Sequence, residues 1–214
     1  MSIQQENVSV ADFTFIEAPS ILGDLPVPRS VPGSVPRASG SGPRLELAEC
    51  WPFSALQVAW RGLPAADLAA ALGVPALPQS MADAVQRASD GARLLPLMPG
   101  RALRLAAQGL PAQRLSQLQD AGAYTLELCE GRGLLTLKGA AWRWTLMKGG
   151  SLDFEALAPG QVAQTSLFKI STLIWVVAVD EVHLLVPLSF ARALSERLLD
   201  AGVDQVSKTL QLFD

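Results

Sequence analysis

Residues 162–187 read VAQTSLFKISTLIWVVAVDEVHLLVP, and this stretch decides what kind of fold the chain can adopt. Three runs rich in β-branched and apolar residues, 162–168, 172–179 and 181–186, are set close together, with Asp180 at the joint between the last two. Short runs joined this tightly predict an antiparallel meander, and Pro187 ends it. Ser189 then offers an N-cap for a closing helix with Phe190, Ala193, Leu194 and Leu198 on one face, and Gly202 offers its C-cap.

Upstream of the meander, 134–138 reads as a strand that leads through Gly139 into a helix over 140–148. Ala141, Trp144 and Met147 recur there at helical spacing, and Gly149-Gly150 stops the helix. Nearer the start, 55–60 reads as a strand, and Pro64 opens a helix over 65–72 that Gly73 closes. A connection over 79–91 follows. The runs 93–98 and 101–107 around Pro99-Gly100 predict a hairpin. Residues 111–118 predict a helix with Leu115 and Leu118 inward, ended by Gly122 before a strand over 124–130. The expected class is α+β, helices packed on antiparallel sheets. One α+β domain over 44–214 is expected, divisible into about 44–121 and 122–214.

Residues 1–43 differ. Pro26, Pro28, Pro32, Pro36 and Pro43, with Gly and Ser between them, cannot sustain regular backbone hydrogen bonding or a core. An extended Pro-rich arm is expected. Phe13, Phe15 and Ile16 have no use in a solvated tail, so the segment reads either as an arm that wraps a partner or as a loose tail.

Composition narrows the function. Half of the 214 residues are hydrophobic and only 17% are charged, with mean hydropathy +0.28, which is apolar enough to suggest surface hidden against partners. A net charge of -3, with scattered Lys and Arg, disfavours nucleic acid. The longest apolar run, 170–179, is too short for a membrane helix. Glu6 and Asp12 near the start, without a basic and then apolar segment, point to a cytoplasmic chain rather than a secreted one.

No reactive constellation emerges, so no catalytic, cofactor-binding or metal residue is assigned. His183 is the single histidine and sits inside a strand, without a nucleophile elbow to serve. Cys50 and Cys129 have no metal-ligand spacing and are expected to be buried thiols. Gly131-Arg-Gly133 reads as a hairpin turn rather than a phosphate loop, and Asp153 and Glu155 as a solvated edge. Trp142 and Trp144 point about 100° apart on a helix, so they cannot line one slot. The expectation is Trp144 in the core and Trp142, with Phe13, Phe15 and Ile16, at a partner interface.

The order of small motifs in the second half, Leu134-Leu-Thr-Leu-Lys-Gly139, Ser151-Leu-Asp153, Pro159-Gly160, Gln164-Thr165, Leu185-Val-Pro187 and Ser189-Phe190, resembles the gamma subunit of heterotetrameric sarcosine oxidase. A looser likeness covers 45–107, through Trp51-Pro-Phe53 and the strand pair around 97–105. Leu188, Leu194 and Arg197 stand where that family commonly has arginine or aromatic residues. The resemblance implies a half-size relative of the aminomethyltransferase fold. It also implies a non-catalytic subunit of a flavin-dependent N-methyl amine oxidase or dehydrogenase coupled to tetrahydrofolate. FAD, FMN, NAD, zinc and tetrahydrofolate would then belong to larger alpha/beta-type flavoprotein subunits and a small zinc-binding delta-type subunit. The competing reading is a stand-alone folate-binding one-carbon module, with Trp142 or Trp175 against the pterin.

Overall fold

Alternation along a strand sends successive side chains to opposite faces, so a strand that is apolar at every position must be covered on both sides. The chain meets that demand with two facing sheets, each carrying helices on its outer side. The structure is a computed structural model that describes residues 45–50, 53–202 and the backbone of 206–211. The arm over 1–43, with Phe13, Phe15 and Ile16, lies outside the described residues, as do Trp51 and Pro52.

The first sheet contains β1 (Leu45–Cys50), β7 (Arg132–Lys138), β8 (Val162–Leu167), β9 (Ile170–Ala178), β10 (Glu181–Pro187) and β11 (Val206–Gln211), in the order β11-β1-β7-β10-β9-β8. The expected meander is present as β8, β9 and β10, paired antiparallel. Only β11 departs from the antiparallel expectation, pairing parallel with β1. The second sheet is antiparallel throughout. It contains β2 (Ser54–Ala59), β3 (Gln86–Arg87), β4 (Arg93–Met98), β5 (Arg101–Ala106) and β6 (Tyr124–Glu127), in the order β3-β4-β5-β2-β6. The hairpin around Pro99-Gly100 is its β4–β5 pair.

Helices α1 (Ala65–Leu72) and α2 (Ala112–Asp120) cover the second sheet, burying Leu68, Leu72 and Leu118 against Leu56, Val58 and Leu94. Gly73 closes α1 in the left-handed conformation at φ 72°, which a glycine adopts without strain. Helices α3 (Trp142–Met147) and α4 (Leu188–Ala201) cover the first sheet, with Trp142, Leu146, Leu194 and Leu198 packed on Leu135, Ile174, Val176 and Leu184. Leu95, Leu103, Leu105, Leu134, Trp175 and Leu185 form a third core between the sheets. The layers therefore run helix, sheet, sheet, helix. Residues near 121 are not a border between sheets: β1 joins the sheet of the second half and β6 the sheet of the first.

Several local expectations are corrected. The segment 124–130 is a strand only to Glu127, after which a 3-10 turn, Cys129–Gly131, carries the chain from one sheet to the other. Gly131-Arg-Gly133 is thus a crossover leading into β7, not a hairpin turn. The last helix starts one residue before Ser189, so Ser189 lies within its first turn and caps nothing. Its inward face is Ala191, Leu194, Ser195, Leu198 and Leu199, while Phe190 and Ala193 face outward. Pro187 sets this frame, because its fixed φ of -58° ends the strand and starts the helix within one residue.

The pair Gly149-Gly150 does more than stop α3. The tight turn between β8 and β9 holds Phe168 and Lys169 at φ 49° and 69°, and the Phe168 N–H donates to the Gly149 carbonyl at 2.7 Å. The Phe168 ring lies so close that a Cβ on Gly149 would sit 2.4 Å from its Cε2. Gly149→Ala should therefore displace the ring from the core and cost about 2 kcal/mol. A urea midpoint that does not move would show that Phe168 is free to swing away.

Candidate functional site

At one end of the space between the sheets the apolar layer gives way to polar residues. Alternation in β5 continues the inward row Leu105, Leu103 to Arg101; in β7 it continues Leu134 to Arg132; in β9 it continues Trp175, Leu173 to Ser171. Gln57 on β2 and Gln164 on β8 occupy corresponding inward positions, beside Ala55 and opposite Leu173. These side chains line a cleft of about 220 Å³ with a floor that includes Leu97, Leu103 and Leu185. No Asp or Glu is among its lining residues. The cleft escaped the sequence reading. Its available signal was a polar residue at an inward position of an otherwise apolar row, seen in Arg101 beside Leu103 and Leu105.

Trp142 is in the core, not at a surface. It is 0% exposed, and its Nε1–H donates to the Val179 carbonyl at 3.0 Å. Trp144 is 45% exposed, with the Lys148 ammonium 3.3 Å from its ring centroid. The assignment of the two indoles is reversed. The reason is the length of the helix: α3 has only six residues, so its buried face is set by Trp142, Thr145 and Leu146. Arg143 crosses the Trp142 ring at 4.2 Å and donates to the carbonyls of Phe154, Leu157 and Val179, fastening the 154–157 loop to α3.

Neither indole proposed for a pterin has a face to offer. Trp142 is enclosed, and Trp175 is buried between the sheets, with the His183 ring edge-on at 5.0 Å. His183 Nε2 lies 3.2 Å from Glu181 Oε1, and Lys138 Nζ approaches the other carboxylate oxygen at 3.5 Å. The hydrogen bond to His183 holds the Glu181 carboxyl below its usual range, with Lys138 adding to the effect against the opposing influence of burial. Cys50 is buried with its Sγ 2.9 Å from Thr136 Oγ1, and burial pushes its thiol up. Cys129 is only half-buried, in the crossover turn, and both cysteines are free. Asp153 Oδ1 accepts from the N–H groups of Glu155 and Ala156, so this carboxylate orders a turn.

Among the described residues, no three His, Cys, Asp or Glu side chains converge as a metal site would require. No helix among them is long and apolar enough to cross a membrane. Exposed apolar side chains gather instead at element ends: Tyr124, 76% exposed, with Leu126 on the edge strand β6; Trp144 and Met147 on α3; and Leu188 and Phe190 at the start of α4.

No family model matches the sequence, and no curated protein matches it. Solved structures do. A chain of the heterotetrameric sarcosine oxidase from Corynebacterium sp. U-96, in complex with pyrrole 2-carboxylate, superposes with a TM-score of 0.67 and 28% identity. The likeness covers 77% of this chain and 87% of that one. The glycine cleavage system aminomethyltransferase T from Bartonella henselae superposes with a TM-score of 0.54 and 18% identity, over 78% of this chain and 48% of that one. The fold is related to both. The chain spans about half the length of the aminomethyltransferase, and its helix-covered sheets correspond to part of that fold.

Proposed function

We propose that the chain is a non-catalytic, gamma-type subunit of a multi-subunit flavin-dependent oxidase or dehydrogenase of N-methyl amines such as sarcosine, coupled to one-carbon transfer onto tetrahydrofolate. The observation that carries this reading is the extent of the likeness to one chain of the heterotetrameric oxidase, 77% of this chain against 87% of that one. Two chains that account for most of each other are of similar size, whereas the aminomethyltransferase is used only in half. On this reading the flavins, NAD, zinc and tetrahydrofolate are held by the larger flavoprotein subunits and a small zinc-binding subunit. This chain supports the assembly. The exposed Tyr124 and Leu126 suit that role, because edge β6 pairs only with β2 among the described residues and presents apolar side chains beside free backbone groups.

The test is purification of the tagged full chain from cells that carry its neighbouring genes. A flavin-bearing larger chain should co-purify, and the complex should oxidise sarcosine or a related N-methyl amine. Tyr124→Asp should lower the flavin recovered per tagged chain by about tenfold or more, as expected for loss of an aromatic anchor, without altering the thermal transition of the free chain. A well-folded monomer recovered without any flavoprotein would sink the reading.

A further inference from the structure

We propose that the cleft between the sheets binds a small organic carboxylate. Two guanidiniums, Arg101 and Arg132, line it, and no carboxylate among the described residues pairs with either. Arginine stays charged at any relevant pH and presents a planar fork that matches a carboxylate, so a cleft with two unopposed forks is electrostatically unfinished. The local charge also runs against the chain as a whole, whose net charge is -3. By contrast, the buried Arg104 is paired with Asp90, which also meets Arg114, and Lys138 and His183 share Glu181.

The remaining lining narrows the ligand. Gln57, Gln164 and Ser171 supply neutral donors and acceptors that can orient a polar substituent, while Leu97, Leu103 and Leu185 give a carbon skeleton an apolar floor. The volume of about 220 Å³ falls below the range of roughly 300–1,000 Å³ typical of drug-sized ligands, so the skeleton is short. A short mono- or dicarboxylate meets all three conditions. Inorganic phosphate would satisfy the arginines but leave the leucine floor unused. This inference is independent of the subunit assignment: the chain can assemble with the cleft empty, or bind a carboxylate without assembling.

Calorimetric titration of the purified full chain with succinate tests it, with sodium chloride and inorganic phosphate as controls. Saturable succinate binding is expected, weakened about tenfold or more in both Arg101→Met and Arg132→Met, the loss expected for a charge-assisted bond. Arg101 is exposed on the β4–β5 hairpin, so its variant is expected to fold and carries the test alone if Arg132→Met does not. Absence of a succinate isotherm would overturn the proposal, as would phosphate binding equally well or succinate binding that neither variant weakens. Binding seen in the free chain but abolished in the purified complex would assign the arginines to an acidic side chain of a partner and overturn the small-molecule reading.

Discussion

Trp142→Ala is expected to cost about 3–5 kcal/mol of stability, and Trp144→Ala less than about 1 kcal/mol, although only Arg143 separates the two indoles in sequence. Trp142 fills the space between α3 and the first sheet, beside Leu135, Val182 and Leu198, and its indole N–H closes a hydrogen bond to the Val179 carbonyl. Truncation there opens a cavity of nearly a whole ring system, strips the Arg143 guanidinium of its stacking surface and leaves the Val179 carbonyl with the Arg143 bond alone from this pair. Trp144 loses an exposed contact with Lys148, worth under about 1 kcal/mol in water. Urea unfolding of the two variants in parallel measures the difference. Equal losses, or a larger loss at Trp144, would mean that α3 is rotated relative to the packing described.

The elements most legible in the sequence are those whose signal is local. The meander over 162–187 shows alternation interrupted by turn residues, the β4–β5 hairpin is marked by Pro99-Gly100, and α1 lies between Pro64 and Gly73. Each needs only neighbouring residues to be specified. β1 and β11 were missed because neither has a sequence neighbour to pair with: they find each other across more than 150 residues, and in parallel. Helix faces were legible only where the helix was long enough to average its period. In α3 a six-residue span allowed two phases, and burial chose Trp142, Thr145 and Leu146 over Ala141, Trp144 and Met147.

Which sheet a strand joins is also hidden from local reading. Successive strands β1 and β2 belong to different sheets, and the 3-10 turn Cys129–Gly131 again switches the chain between sheets, although nothing in the composition of that turn distinguishes it from an ordinary one. The cleft follows from those switches. Gln57 belongs to β2, Arg101 to β5, Arg132 to β7, Gln164 to β8 and Ser171 to β9, and they come together only because two sheets built from interleaved segments face one another. Motif reading seeks chemistry in one contiguous stretch, whereas these cleft residues come from five separate strands. The same physics explains the apolar composition noted at the outset: two sheets covered on both faces demand three cores, so the hydrophobic excess is accounted for first inside the chain and only secondarily by partner-facing residues such as Tyr124 and Leu126.

Asp90→Asn is expected to cost about 3 kcal/mol at neutral pH, because it leaves a buried guanidinium without its counter-charge. Arg104 is 4% exposed on β5 and donates from Nη2 to Asp90 Oδ2 at 2.9 Å, while Arg114 on α2 reaches the same oxygen at 3.1 Å. The other carboxylate oxygen accepts the Ala92 N–H at 3.2 Å. One side chain thus ties a loop, a strand and a helix together, and its removal leaves Arg104 with the neutral Gln108 carbonyl at 3.3 Å as acceptor and Arg114 as a like charge nearby. Burial alone would disfavour the Asp90 carboxylate, but the Arg104 hydrogen bond, the Ala92 N–H and the two positive charges outweigh it and hold the carboxyl below the ordinary aspartate range. A lowered value in the folded state means that the contribution is complete above the unfolded value of about 3.9 and is lost as pH falls through the lowered one. The stability gap between the wild type and Asp90→Asn should therefore stay constant from pH 7 to about pH 5 and close only below about pH 4. Chemical unfolding at a series of pH values measures that gap, and a gap that closes between pH 7 and 5 would show that the carboxylate is not what holds Arg104 in place.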